Sequence, residues 1–157
     1  TGGVIGMAIV KTFAQVNKKP IVPVTSLELL AGQISVLQND FHVLLNCTRR
    51  EIFHGIFRIV EGQPVAKKPI QLTTLEKYID SNENVPVVLY RVSPERRKPE
   101  PLFEKLVHLP LDYPVADAML LDRLGAKKMF SSAFDPDVPV NPLYLKREVE
   151  KLKVPYS

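Results

Sequence analysis

The hydrophobic pattern along the chain sets one unusual segment apart from a series of ordinary ones. From Gly2 to Ala14 the only charge is Lys11, and apolar or small residues fall on every side of a helical wheel. A surface helix shows one apolar stripe, whereas a helix apolar all round has to be covered on more than one side. Gly2 and Gly6 stand four apart, as do Val10 and Ala14, which lets another backbone approach closely. The segment is shorter than the about 20 residues a membrane span requires. Two readings fit it: a central core helix, or a helix with one face on its own sheet and the other on a partner subunit.

After it, Asn17-Lys-Lys-Pro20 stops the helix, because basic residues suit its negative end and proline cannot continue it. Ile21 to Val24 predicts a short β-branched strand. Thr25-Ser-Leu-Glu28 has capping-box spacing, opening an amphipathic helix with Leu27, Leu30, Ala31, Ile34 and Leu37 on one face. Phe41 to Asn46 and Glu51 to Val60 predict two strands joined at 47–50. In the second, Ile52, His54, Ile56, Arg58 and Val60 fall on one side, and Phe53, Phe57 and Ile59 on the other. Glu61-Gly62 is a turn, and Val65 to Leu72 predicts a returning edge strand, because Pro64 and Pro69 are tolerated only there. Thr73-Thr-Leu-Glu76 predicts a second capping box and a short helix to Asp80. Val85 to Val92 is nearly continuous in apolar residues, as in a strand buried on both faces.

Further on, Ser93 to Pro101 is a charged, proline-rich loop. Asp112 and Pro114 open a helix with Ala116, Leu120 and Leu124 on one face, and Met119 and Leu121 beside them. Ser131 to Pro142 is loop, Leu143 to Leu145 a short strand, and 146–157 a charged tail expected to be mobile. Strands alternating with helices, with at least one antiparallel hairpin, predict an α/β fold.

Composition narrows the function classes. The 157 residues suit one domain, with 45% hydrophobic and 24% charged residues. Cys47 stands alone, which excludes a disulfide framework and a cysteine metal site and suits a reducing, cytoplasmic setting. A net charge of +4 favours a polyanion only weakly. The chain opens without Met inside a Gly-rich turn, and so reads as a fragment of a longer protein.

Candidate chemistry is sparse. No phosphate-loop, zinc-protease or nucleophile-elbow motif is present. His42 and His54 lie on adjoining strands, close enough in the pattern for a meeting across the hairpin, a pairing that is structural more often than metal-binding. His108 beside a proline carries no signal. Cys47, near Arg49 and Arg50, reads as a small structural thiol, and Asp135-Pro-Asp137 as a turn. The turn Thr1-Gly2-Gly3 presents backbone N–H groups to a phosphate or simply packs closely. Arg96, Arg97 and Lys98, with Lys67 and Lys68, touch RNA phosphates or form a solvated surface.

Together these landmarks carry a resemblance. Thr1-Gly2, Ile5-Gly6, Lys11 and Ala14, followed by Pro20-Ile-Val-Pro-Val-Thr-Ser-Leu27 and Ala31, resemble the central signature of the bacterial TsaB (YeaZ) family. Asn46-Cys-Thr-Arg49 with Glu51-Ile-Phe53 resembles the family's hairpin turn and strand, and Asn141-Pro-Leu-Tyr-Leu-Lys146 its closing segment. Val4, Thr12, Asn46, Thr48 and Lys146 depart from the usual residues.

The resemblance implies an actin-like, ribonuclease-H-like lobe, with a mixed sheet and flanking helices, lacking its N-terminal lobe. Residues 1–17 form the helix at the lobe junction and partner interface. It implies a non-catalytic subunit, not a peptidase, that pairs with a TsaD-like catalytic subunit and a TsaE-like ATPase in tRNA threonylcarbamoyladenosine synthesis. The wider complex uses ATP and contacts tRNA, while this chain binds no cofactor, metal or membrane. The implied interface is Gly2, Ile5, Gly6, Ile9, Val10 and Phe13. With the first lobe missing, self-association through Ile5, Ile9 and Phe13 is expected. The competing expectations are a nucleotide-binding enzyme of the actin-like superfamily and a direct RNA-binding module.

Overall fold

The computed structural model describes residues 2–34, 39–46, 51–82, 85–90, 107–108 and 118–140. The chain divides into two compact units, Thr1–Val24 with Leu121–Ser157, and Thr25–Leu120.

The second unit is built on a mixed sheet. Its first helix, α2 (Ser26–Ala31), has only six residues, too few for a stable helix in isolation. Two things hold it. The Thr25 hydroxyl accepts from the Glu28 N–H at 3.2 Å while the Glu28 carboxylate accepts from the Thr25 N–H at 2.7 Å, so the expected capping box is complete. Leu27, Leu30 and Ala31 are then buried against the sheet. The helix stops at Gly32, earlier than the Leu27-to-Leu37 periodicity suggests, yet Ile34 beyond its end is still buried. Leu37 lies outside the described residues.

Strands β1 (Phe41–Asn46) and β2 (Glu51–Val60) have the expected bounds and pair antiparallel, Phe41 opposite Phe57 and Leu44 opposite His54. Glu61 and Gly62, at φ 51° and 72°, make the two-residue turn whose twist suits a hairpin. The returning edge is not one strand over Val65–Leu72 but two, β3 (Gln63–Ala66) and β4 (Gln71–Thr74). Phe57 pairs with Ala66 and His54 with Gln71, so the return has two more residues between these pairs than β2 has. Pro69 lies in that excess, where no ladder N–H is asked of it.

Thr74, not Thr73, caps the next helix, α3 (Leu75–Ser81): its hydroxyl accepts from the Lys77 N–H at 3.3 Å. Thr73 is committed to β4 opposite Ile52. The third helical position is therefore Lys77 instead of Glu76, and the cap is single, not a box. Strand β5 (Pro86–Tyr90) runs parallel to β1, and β6 (Val107–His108) parallel to β5. The order is β3-β2-β1-β5-β6, with β4 also on β2. His108 is thus a strand residue opposite Val87.

Helices cover both faces. On one side Leu27, Leu30, Ala31 and Ile34 pack with Phe41, Val43 and Phe57; on the other Leu75 and Tyr78 pack with Leu44, Ile52 and Val87. The alternation expected in β2 is present, but its Ile52 side is covered only at its start: Ile52 and His54 are buried while Arg58 and Val60 are exposed. Arg58 pairs there with Asp40.

In the first unit, α1 (Gly2–Asn17) ends in a Schellman motif. The Lys19 N–H donates to the Ala14 carbonyl at 2.9 Å and the Lys18 N–H to the Gln15 carbonyl at 3.3 Å, with Lys18 in the left-handed region at φ 52°. The predicted strand at Ile21–Val24 is irregular. Pro20 and Pro23 remove two backbone donors from a five-residue stretch, which leaves little for a sheet ladder to use. Helix α4 (Ala118–Met129) carries buried Leu120 and Leu124, and Met119 and Leu121 beside them are exposed. From Leu121 on it belongs to this unit, and its Lys128 ammonium donates to the Pro23 carbonyl at 2.8 Å. Residues 109–117, and hence Asp112, Pro114 and Ala116, lie outside the described residues, as do 91–106 and 141–157. No described helix is long and apolar enough to cross a membrane.

Gly55 offers a direct check on the α2 face. A Cβ there would lie 2.6 Å from the Phe57 ring and 3.1 Å from a Leu27 methyl, with Phe57 fully buried. Overpacking of this kind costs about 1–3 kcal/mol, so Gly55→Ala is expected to lower the urea midpoint accordingly. Thr25→Ala removes one hydrogen bond of the capping box and is expected to cost about 1 kcal/mol in the same measurement.

Candidate functional site

Two places on the described surface and interior stand out: one polar and satisfied, the other apolar and bare. The bare one is α1. Ile5, Ile9 and Phe13 follow at intervals of four and so form one row along the helix. They are 57%, 52% and 67% exposed, and Val16 continues the row at 75%. Val10 beside them is 48% exposed, and Gly6 has no atom within 4 Å of where its Cβ would stand. Among the described side chains of α1 only Met7 and Ala14, two turns apart, are half-buried. In the described chain this row of α1 is open to solvent. The helix has one partly covered edge and a broad open apolar face.

Gly2 and Gly3 fall inside the first turn of α1, so the helix itself begins where a preceding Gly-rich turn was expected. Thr1 lies outside the described residues, and so do Arg96, Arg97 and Lys98, which removes both the phosphate-facing turn and the basic loop from geometric description. Cys47, Arg49 and Arg50 lie outside as well. Lys67 and Lys68 are exposed between β3 and β4. The Asp137 N–H donates to the Asp135 carboxylate at 2.9 Å, the turn expected of that pair.

The satisfied place is the interior of the α3 face. His42 and His54 do meet across the hairpin, as diagonal neighbours: His42 lies opposite Ile56 and His54 opposite Leu44. His54 Nε2 is 3.2 Å from His42 Nδ1, and Tyr78 Oη is 2.8 Å from the same Nδ1. Both rings are more than nine-tenths buried. Burial pushes the His54 pKa down to about 4, helped by the neighbouring His42 and by Lys68. Burial also lowers His42, against the pull of Asp40, and raises Tyr78. At neutral pH the cluster is two neutral imidazoles and a phenol. It contains no carboxylate and no thiolate, and the described residues hold no group of three or more His, Cys, Asp or Glu able to bind a metal ion.

Sequence reasoning paired the histidines but missed Tyr78. Its signal was available in outline: Leu75 and Tyr78 are three apart on one helix, and a buried tyrosine needs a partner for its hydroxyl.

No family model matches the chain, and no curated protein matches it. Solved structures do. A crystal structure of an uncharacterized protein with similarity to peptidase YeaZ from Pseudomonas aeruginosa superposes with a TM-score of 0.61 at 15% identity, over 90% of this chain and 66% of that one. YeaZ from Pseudomonas aeruginosa superposes with a TM-score of 0.56 at 14% identity, over 76% of this chain and 57% of that one. The chain thus spans about three-fifths of the length of the proteins it matches. Identity at this level speaks to shape alone: a mixed sheet flanked by helices on both faces, carried by a chain with the fold of YeaZ.

Proposed function

We propose that the protein is a non-catalytic scaffold subunit that binds a TsaD-like catalytic subunit through the open face of α1, in the complex that makes threonylcarbamoyladenosine on tRNA. The observation that carries this reading is the row Ile5, Ile9, Phe13 and Val16, with Val10 alongside, left exposed on a sixteen-residue helix. A contiguous apolar patch of this kind marks an interaction site. Gly6, open above its backbone, leaves room for a facing helix to come close. The fold shared with YeaZ supports the family from which the partner is inferred. In this reading the TsaE-like ATPase, ATP and tRNA are engaged by the wider complex in the cytoplasm, and the interior histidine–tyrosine cluster takes no part in chemistry.

Co-purification with the TsaD homologue of the same host tests the assignment. Gly6→Arg and Val10→Asp are each expected to abolish the complex while the far-UV spectrum is kept, because both positions face solvent in the isolated chain. Retention of the complex by both variants would refute the interface. Gly6→Ala separates folding from binding: its methyl meets nothing here, and it is expected to raise helix stability by up to about 1 kcal/mol.

Without its partner, the same face is expected to bring two copies together. Sedimentation velocity of the 157-residue chain should show a concentration-dependent dimer that Ile9→Asp reduces to monomer. A strictly monomeric wild type would contradict this use of α1.

A further inference from the structure

We propose that the buried His42–His54 pair is a proton-operated latch that holds α3 on the sheet in neutral solution and releases it on acidification. The cluster joins three elements. His42 comes from β1, His54 from β2, and Tyr78 of α3 closes over both rings, with centroids 5.7 Å and 4.9 Å away.

The rule follows from counting protons. A ring nitrogen carries either one hydrogen or one lone pair. His42 Nδ1 faces both the Tyr78 hydroxyl at 2.8 Å and His54 Nε2 at 3.2 Å. One hydrogen between the two rings serves this arrangement. When both rings are imidazolium, Nδ1 and Nε2 each carry a hydrogen and point them at one another across 3.2 Å. No acceptor remains between them, and two positive charges are in contact out of water. The closed pair therefore excludes the second proton, whereas rings opened to solvent take up both. Opening and proton uptake become one event.

The groups around the pair do not relieve this. Asp40, just before β1, favours a charge on His42 but is itself paired with Arg58 of β2. Lys68, from the β3–β4 connection, opposes a charge on both rings. Gln71 of β4 opposite His54 and Val87 of β5 opposite His42 bring no charge. On α3 the facing group is the Tyr78 hydroxyl, while Glu76, Lys77 and Asp80 are exposed. With His54 lowered to about 4 in the closed state and a free histidine near 6.5, the open state binds more protons throughout that interval. The latch is fully closed above about pH 6.5 and loosens as pH falls from there toward 4.

Helix α3 is the element that yields. It has seven residues, too few to persist as a free helix. Its hold on the sheet is the burial of Leu75 and Tyr78. Release would uncover Leu44, Ile52 and Val87, while α2, on the other face, keeps its own contacts.

Native-state amide exchange of the 157-residue chain, corrected for the intrinsic pH dependence, reads this directly. Between pH 6 and 5 the protection of the α3 amides is expected to fall by up to about tenfold, the mark of the one proton that the closed pair excludes, while α2 amides hold theirs. His54→Gln leaves one ring with no facing imidazolium, and the fall should shrink well below that of the wild type; His42→Gln with His54→Gln should flatten it. The proposal is overturned if α3 protection in the wild type does not change with pH, if α2 loses protection in parallel, or if the double variant keeps the wild-type slope. Should the variants not fold, the assigned ring carbon shifts of His42 and His54 in the wild type decide: both titrating near 6.5 in the folded protein would overturn the latch, and depressed, coupled titrations would uphold it.

Discussion

Strand β1 from Phe41 to Leu44 and the first half of β2 are covered on both faces, and most of the sheet unit's detail follows from that constraint. A strand covered on one side can turn its polar residues to water. One covered on both sides has to fill every position with something that packs, and has to give each polar atom a partner inside. On the α2 side the problem is space, and it is met by Gly55, whose missing side chain is occupied by the Phe57 ring and a Leu27 methyl. On the α3 side the problem is polarity. His42 and His54 would each be costly alone in an apolar layer. They are tolerable because they are diagonal neighbours with Tyr78 above them.

Features set by neighbours in sequence were legible before the structure. The Thr25–Glu28 capping box, the bounds of β1 and β2, the Glu61-Gly62 turn and the stop after Asn17 are all determined within a few residues. Features set by competition between elements were not. Thr73 and Thr74 are chemically identical and both pair in β4, opposite Ile52 and Glu51; only the point at which the strand ends decides that Thr74, its last residue, caps α3. The break between β3 and β4 reflects a register with two extra residues, which no local pattern displays. Ile21–Val24 has the β-branched composition of a strand but two prolines in reach, and composition lost to the missing donors.

The candidate sites divide along the same line. That His42 and His54 meet could be read from two strands and a short connection. That a third group completes them required knowing which face of α3 turns inward, and Tyr78 does so only because Leu75, three residues earlier, is buried with it. For α1 the order was reversed: the all-round apolar wheel was visible at once, and the ambiguity was whether its own chain covers it. Exposure of Ile5, Ile9, Phe13 and Val16 adds the row that remains open in the described chain, which the wheel alone did not single out.

Comparing the two places explains why function is assigned to the one with less chemistry. A buried polar cluster that satisfies itself asks nothing of another molecule; its energetics close within the unit, and what it can still exchange with the surroundings is a proton. An apolar row facing water is the opposite case. Fully burying an exposed side chain of this kind is worth about 1.5–3 kcal/mol, and the half to three-quarters of it that these residues still hold is available only on contact with something else. The fold likeness to YeaZ describes the body on which this row is carried and says nothing of the occupant. For the interface proposed above, an occupant would need an apolar surface elongated along at least three turns and able to come close at Gly6, which another helix can offer.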